Sequence, residues 1–563
     1  MSLVQGRTGR YLCETLKGKK GRLALLCFVQ MVHGCCGVIQ AMILKNGIDG
    51  ALKKDAACFW SSMTAFTLLL FAQVGGPFLT RYLDEHLRSG IENTIKKRLF
   101  GCLLRGEFAD VTKRHSGEWM TRLTSDTAVV ADGLVSILPG LAGMSVRLVG
   151  ALVTLVVLMP VVGRVIVPAG LVLLAFTCLL RRPLKRLHNQ IQESDASLRV
   201  FLQEHLGSLM MVKVYLAENE TEEKADRYMK EHRQARMNRN RLSNACNTGF
   251  HFMIRVLYLF GAAGCGYGIL QGTVSYGTFI AVLQLIGQLQ VPLAGMTGYG
   301  PKFYAMLSSA ERLMEAEAFR QEEGTEDDKE KEAGYTKQSF REIRVNEISF
   351  AYPEMKEEVL NRLTVTLKCG EFVAMMGDSG CGKSTLMKLL LGLYPVTEGE
   401  ITFVTEEVQE PVSEKHREYF AYVPQGHHLM KGSIREIISL GRKEKDLSGE
   451  EIERALKTAC AEFVWELPDG VDTIIGEDGA GLSEGQLQRL SVARAIASDR
   501  EILLFDEATS ALDEATEKRM LLNLREQKDR TILIITHRPA ALEICDRVIL
   551  LECPGENEKR ENK

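Results

Sequence analysis

Six apolar runs, each long enough to cross the roughly 30 Å hydrocarbon layer of a bilayer, occupy the first three hundred of the chain's 563 residues. They extend over 23–43, 59–83, 135–159, 162–180, 248–270 and 276–299. A chain built this way is expected to thread a membrane six times, the alternative being a set of buried helices in a large soluble protein. The links after the first, third and fifth runs are short, whereas those after the second and fourth reach roughly fifty and sixty residues. Long helices are therefore expected to project from one face only.

Charge identifies that face. Arg7, Arg10, Lys17, Lys19, Lys20 and Arg22 precede the first run against the single acid Glu14, and thirteen Lys and Arg lie between 181 and 241. Such an excess marks the cytoplasmic side, so both termini and both long links are expected inside. The first run follows its basic stretch without a small-residue cleavage site and is expected to be retained. The basic residues flank apolar helices, so the pattern gives no reason to expect a nucleic-acid partner. The 14 cysteines lack paired zinc-type spacing and are read as free thiols, Cys35 and Cys36 as small packing residues.

Between 321 and 332 the chain carries seven acidic residues and two lysines, which reads as a solvated connector. The resulting division is a transmembrane domain over 1–320, a connector over 321–341, a soluble α/β domain over 342–552 and a polar tail over 553–563.

The soluble part opens its chemistry at the short apolar strand 372–376, followed by Gly377, Asp378, Ser379, Gly380, Cys381, Gly382, Lys383, Ser384 and Thr385, then an apolar helix. This is a phosphate-binding loop in the strand-loop-helix setting it requires. The glycines let backbone N–H groups turn onto phosphates, the helix directs its positive end at them, Lys383 reaches the β and γ phosphates, and Ser384 ligates Mg2+. A nucleoside triphosphate with Mg2+ is therefore the expected cofactor. Further on, the apolar strand 502–505 ends in Asp506 and Glu507. Asp506 is placed to hold Mg2+ through water, and Glu507 stands where a base would orient the attacking water.

Between these elements lie Leu482, Ser483, Glu484, Gly485 and Gln486, which resemble the signature motif of ATP-binding-cassette (ABC) transporters. Other motifs of that family follow in order. Tyr352 in Phe-Ala-Tyr-Pro resembles the aromatic loop that stacks on adenine, and Gln425 in Tyr-Val-Pro-Gln resembles the Q-loop. Ser510, Ala511, Leu512 and Asp513 match the D-loop, and His537 in Ile-Thr-His-Arg matches the switch histidine. Segments 106–110 and 116–126 resemble the first coupling-helix region of ABC exporters, 207–218 lies where the second would be, and 475–479 resembles the loop that touches the opposite membrane domain. One departure stands out: Glu484 stands where the signature usually has a glycine, while the neighbouring Gly485 is kept.

The resemblance implies a multidomain membrane protein, a six-helix all-α ABC exporter transmembrane domain fused to an α/β P-loop nucleotide-binding domain that takes ATP with Mg2+. It implies a multi-pass protein of the cell membrane, surrounded by lipid, with its cassette in the cytoplasm. Ser483, Gly485, Gln486 and Asp513 of one chain would complete the ATP site of another, so a dimer is required; a homodimer is favoured over pairing with a related half-transporter. Glu507, His537 and Gln425 would carry hydrolysis, with Gln425 joining Ser384 and Asp506 at the metal. The function implied is ATP-driven efflux of a lipid, peptide or amphipathic small molecule by alternating access. Import of a metal chelate on the same architecture and a non-transporting ATP-dependent sensor remain alternatives. Arg147 and Arg255 lie inside the apolar runs, with His251 one turn before the latter and Lys302 just past the last run, while the runs contain no acid. Charges so placed suit an anionic substrate; snorkelling to lipid phosphates is the other reading.

Overall fold

The computed structural model describes residues 2–319, 339–353, 355, 357–426, 429–442, 447–476 and 481–552. The acidic segment 321–332, positions 477–479 of the loop before the signature, and the tail 553–563 lie outside the described residues. The chain divides into two units, Met1–Gly101 with Ser116–Ala318, and Cys102–His115 with Phe319–Lys563.

In chain order the helices are α1 (Ser2–Thr15), α2 (Lys20–Leu52), α3 (Ala56–Arg105), α4 (Phe108–Thr112), α5 (Ser116–Thr121), α6 (Thr127–Leu158), α7 (Pro160–Gly207), α8 (Leu209–Val214), α9 (Glu218–Leu270) and α10 (Tyr276–Glu317). All but α4 and the last turn of α3 belong to the first unit. Among the described residues five helices are long and apolar enough to cross a membrane: α2, α3, α6 with the turns before it, α9 and α10. The remaining long helix, α7, has 48 residues and contains the run 162–180. A 50-residue helix such as α3 is about 75 Å long at 1.5 Å per residue, far more than a bilayer needs. The long polar links are thus largely continuations of the membrane helices.

Ala41, Ala151, Leu155, Ile254, Leu285 and Ile286 pack α2, α6, α9 and α10 together. By contrast α3 leaves Trp60, Leu68, Phe71, Val74 and Phe78 each about 67–78% exposed in a single chain, an apolar face that demands lipid or another chain. The polar ends of α6 and α10 are tied by charge: Asp126, 4% exposed, accepts from Arg312 Nε at 2.8 Å and from the Ser309 hydroxyl at 2.9 Å.

The charge inventory around Lys302 gains an acid. Helix α6 starts at Thr127, ahead of the run read as 135–159, and so carries Asp132. That carboxylate meets Lys302 at 3.2 Å and Arg88 at 3.1 Å. Lys302 is compensated, which apolar content alone could not reveal because the helix outlasts the run.

The second unit contains two sheets. Strands β1 (Phe340–Phe350), β2 (Leu360–Lys368), β4 (Glu398–Thr405) and β5 (Gln409–Pro411) form an antiparallel sheet in the order β2-β1-β4-β5. Strand β1 begins inside the segment read as connector, because Phe340 packs 5.3 Å from Phe403 in the core. Strands β3 (Phe372–Met376), β6 (Phe420–Val423), β9 (Ile502–Asp506), β10 (Thr531–Ile535) and β11 (Arg547–Leu550) form a parallel sheet ordered β11-β3-β10-β9-β6. A short antiparallel pair, β7 (Gly432–Ser433) and β8 (Ile474–Ile475), completes the set. Alternate residues of the parallel strands enter two different cores. Ala374, Leu503, Phe505 and Ile534 face one side, and Val373, Leu504, Leu533 and Ile535 the other. Burial on both faces explains why these strands read as unbroken apolar runs. The helices here are α11 (Lys383–Leu390), α12 (Ile434–Ile438), α13 (Gly449–Thr458), α14 (Glu484–Ala497), α15 (Glu514–Arg525) and α16 (Pro539–Ile544).

Candidate functional site

The parallel sheet brings the sequence motifs to one edge. The phosphate loop leaves β3, Asp506 ends β9 with Glu507 next, His537 follows β10, and Gln425 follows β6. All four thus sit at carboxyl ends of strands, where open α/β sheets bind ligands.

The phosphate loop is shaped by Gly382, whose φ of +95° falls in the left-handed region. A Cβ there would lie 2.6 Å from Leu360 Cδ2 and 2.9 Å from the Val359 carbonyl, so only glycine fits. Helix α11 starts at the next residue, and Lys383, 7% exposed, donates to the carbonyls of Gly377 at 2.7 Å and Asp378 at 2.8 Å. Ser379 and Gly380 are exposed on the rim, while Cys381 is buried with Sγ 3.9 Å from Lys383 Nζ. Thr385 is buried, its hydroxyl 3.1 Å from that of Tyr352. The Tyr352 ring stands edge-on to Phe350 at 5.0 Å and Tyr394 at 5.3 Å, which holds it as a platform beside the loop.

Across the sheet edge, the Ser384 hydroxyl donates to Asp506 Oδ1 at 3.0 Å, and the Tyr422 hydroxyl donates to Oδ2 at 3.2 Å. Burial pushes the Asp506 carboxyl above its ordinary pKa, opposed by these two hydrogen bonds. A hydroxyl and a carboxylate at contact distance are hard oxygen donors of the kind Mg2+ takes, so this pair fits the ion. Glu507 has a left-handed backbone, φ +51°, a conformation that costs a non-glycine residue on the order of 1–3 kcal/mol and is held by its surroundings. Its N–H donates to the Ile535 carbonyl at 3.2 Å, and its Oε2 accepts from Gln425 Nε2 at 2.8 Å. That bond ties the end of β6 to the end of β9.

The signature residues serve a helix terminus. Ser483 caps the 14-residue α14, accepting from the Gln486 N–H at 3.3 Å, while Gln486 Oε1 accepts from the Ser483 N–H at 2.8 Å. Glu484 is the first helical residue and is exposed. Among the described residues neither Ser483 nor Gln486 bonds to the phosphate loop of its own chain. Asp513 caps α15: Oδ2 accepts from the Thr516 N–H at 2.9 Å, and that backbone donor holds the carboxyl below its ordinary pKa. His537 is exposed, and among the described residues its ring makes no hydrogen bond within the chain.

One chain therefore brings together Lys383, Ser384, Asp506, Glu507 and Gln425, and leaves Ser483 and His537 exposed. Tyr422 is the site residue that motif reading misses. Its only sequence sign is that it lies on the strand running into Gln425; its place against Asp506 follows from the β6–β9 register, which pairs Tyr422 with Leu504.

Comparison with known proteins agrees with this architecture. Residues 23–293 match the ABC transporter transmembrane region, and residues 360–510 match the ABC transporter domain. The chain is 30% identical to the ABC transporter ATP-binding protein YwjA of Bacillus subtilis over 89% of its length and 87% of that protein's. It is 26% identical to the ATP-dependent lipid A-core flippase of Aliivibrio fischeri over 96% of its length and 92% of that protein's. Its fold resembles a bacterial Atm1-family ABC exporter solved with ATP bound, with a TM-score of 0.75 at 23% identity, covering 97% of each chain. The chain thus belongs to the ABC transporter family, as a multi-pass, ATP-hydrolysing half-transporter of exporter fold with its membrane region and cassette in one polypeptide.

Proposed function

We propose that two copies of this chain form an exporter that moves an amphipathic molecule with an anionic group out of the cytoplasmic leaflet at the expense of ATP. In this reading Tyr352 carries the adenine, and Gly377, Ser379, Gly380, Cys381, Gly382, Lys383 and Thr385 cradle the phosphates. Ser384, Asp506 and Gln425 hold Mg2+, which, when bound, neutralises phosphate charge. Glu507 orients and deprotonates the attacking water, and His537 steadies the γ phosphate. Ser483, Gly485, Gln486 and Asp513 act on the partner's nucleotide, in keeping with the exposure of Ser483 and Asp513. Both termini face the cytoplasm, a topology that the basic flanks of the spans support. The name of the Aliivibrio fischeri relative, a lipid A-core flippase, favours a lipid among the candidate substrates.

The observation that carries the anionic preference is Arg147. It lies within α6, half-buried, with Nε lacking any hydrogen-bond partner and no acid paired to it among the described residues. An uncompensated guanidinium in a membrane helix is costly unless a ligand or water meets it. Arg255, exposed on α9, is the second candidate, whereas Lys302 is already matched by Asp132. Replacing Arg147 and Arg255 by Gln together is expected to lower ATP-dependent uptake of anionic amphiphiles into inverted vesicles at least about tenfold, the worth of one charge-assisted contact even if only one of the two arginines meets the substrate, while basal ATPase activity persists. Uptake unchanged for anionic and cationic probes alike would refute the anionic preference; ATP-driven movement in the opposite direction would refute export.

A further inference from the structure

The loop Ala508–Asp513 joins Glu507 to α15, and its middle is exposed: Ser510 and Ala511 face outward. No strand or helix fixes it. Its own backbone supplies only short turns, Ser510 N–H to the Glu507 carbonyl at 3.1 Å and Leu512 N–H to the Thr509 carbonyl at 3.1 Å. Asp513 is tied to α15, and four further polar groups of the loop are held from two other directions.

From the signature helix comes Gln488, 1% exposed. Its Nε2 donates to the Ser510 hydroxyl at 3.0 Å, and its Oε1 accepts from the Ala511 N–H at 3.0 Å. The two backbones approach closely, since a Cβ on Gly485 would lie 2.9 Å from the Ala511 carbonyl oxygen. From the switch loop comes Arg538, directly after His537. Its guanidinium donates to the Leu512 carbonyl at 2.7 Å, the Ser510 carbonyl at 2.7 Å and Glu517 Oε2 at 3.0 Å. Glu517 is 1% exposed, so its charge is answered by this arginine or left buried and unpaired. A planar fork with five donors can span two carbonyls and a carboxylate at once; an ammonium cannot reproduce that geometry.

We propose that Gln488 and Arg538 are positioning residues for hydrolysis, clamping the loop after Glu507 between the signature helix and the switch-histidine loop. This rests on the reading of Glu507 as the catalytic carboxylate. Neither side chain touches nucleotide; each fixes where Glu507's own segment leaves the sheet, and a misplacement of about 1 Å costs on the order of a hundredfold in rate. Because both hold the same few residues, their effects on rate are coupled rather than independent.

The test uses the full-length protein, with Arg538→Lys, Gln488→Met and the double variant, measuring kcat, equilibrium ATP binding and the thermal midpoint. Each single variant is expected to lower kcat by about ten- to a hundredfold with ATP affinity within about threefold, and the double variant to fall little below the worse single. A role confined to stability would instead lower the midpoint and the amount of folded protein at unchanged kcat per folded molecule. Either single variant retaining kcat within about threefold, or a double variant whose loss is the product of the singles, overturns the clamp. Should Gln488→Met fail to fold, Ser510→Ala removes one of its two contacts, that to the Ser510 hydroxyl, from the exposed side; there a several-fold loss of kcat supports the clamp and an unchanged kcat overturns it. Glu507→Gln run in parallel separates the two readings. If it keeps turnover, the assignment of Glu507 fails; if it is inactive while the clamp variants are normal, only the clamp fails.

Discussion

Glu507→Gln is expected to lower ATP turnover by about a hundred- to ten-thousandfold while ATP still binds. The amide is the same size but cannot take a proton from the attacking water. Its carbonyl oxygen can still accept from Gln425 Nε2, which now donates to Glu507 Oε2 at 2.8 Å. The branching at Cβ is unchanged, so the left-handed backbone at φ +51° is no harder to hold and the fold of the sheet edge persists. With hydrolysis blocked, ATP-bound cassette dimers should accumulate. Steady-state phosphate release measured on purified protein decides the matter: a rate within about threefold of the parent removes Glu507 from the chemistry.

Lys383→Ala is expected to weaken ATP binding by about ten- to a hundredfold, the worth of one charge-assisted contact of about 1.5–3 kcal/mol, and to abolish transport. Two losses combine. The ammonium no longer meets the β and γ phosphates, and the carbonyls of Gly377 and Asp378 lose the donor that draws the loop together at 2.7 and 2.8 Å. Titration with a fluorescent nucleotide analogue checks this directly. Affinity within about threefold of the parent would show that backbone N–H groups alone hold the phosphates.

Much of this was legible in the chain. The phosphate loop announces itself because a strand, a glycine-rich turn and a helix follow one another locally, and the doubly buried strand β9 reads as an apolar run ending in Asp506 and Glu507. Unequal link lengths foretold helices that project beyond the membrane. What stayed hidden depends on strand order and side-chain direction, which local pattern does not encode. Tyr422 reaches Asp506 only because β6 lies beside β9 in parallel register. Gln488 and Arg538 meet on one loop although fifty positions separate them. Asp132 went unnoticed because α6 extends past its apolar run.

The cap at Ser483 has a consequence for the substitution at the next position. Ser483 and Gln486 spend their side chains on each other's backbone N–H, so what α14 presents outward is chiefly the partial positive charge of its terminus, equivalent to roughly half an elementary charge. Glu484 sets a full negative charge in that first turn. It steadies its own helix by about 0.3–1 kcal/mol and repels the phosphate of any nucleotide brought against it. On the proposed dimeric reading, closure of two such cassettes responds to the charge at this helix end, which divalent cations and ionic strength shift more than they would for a glycine there.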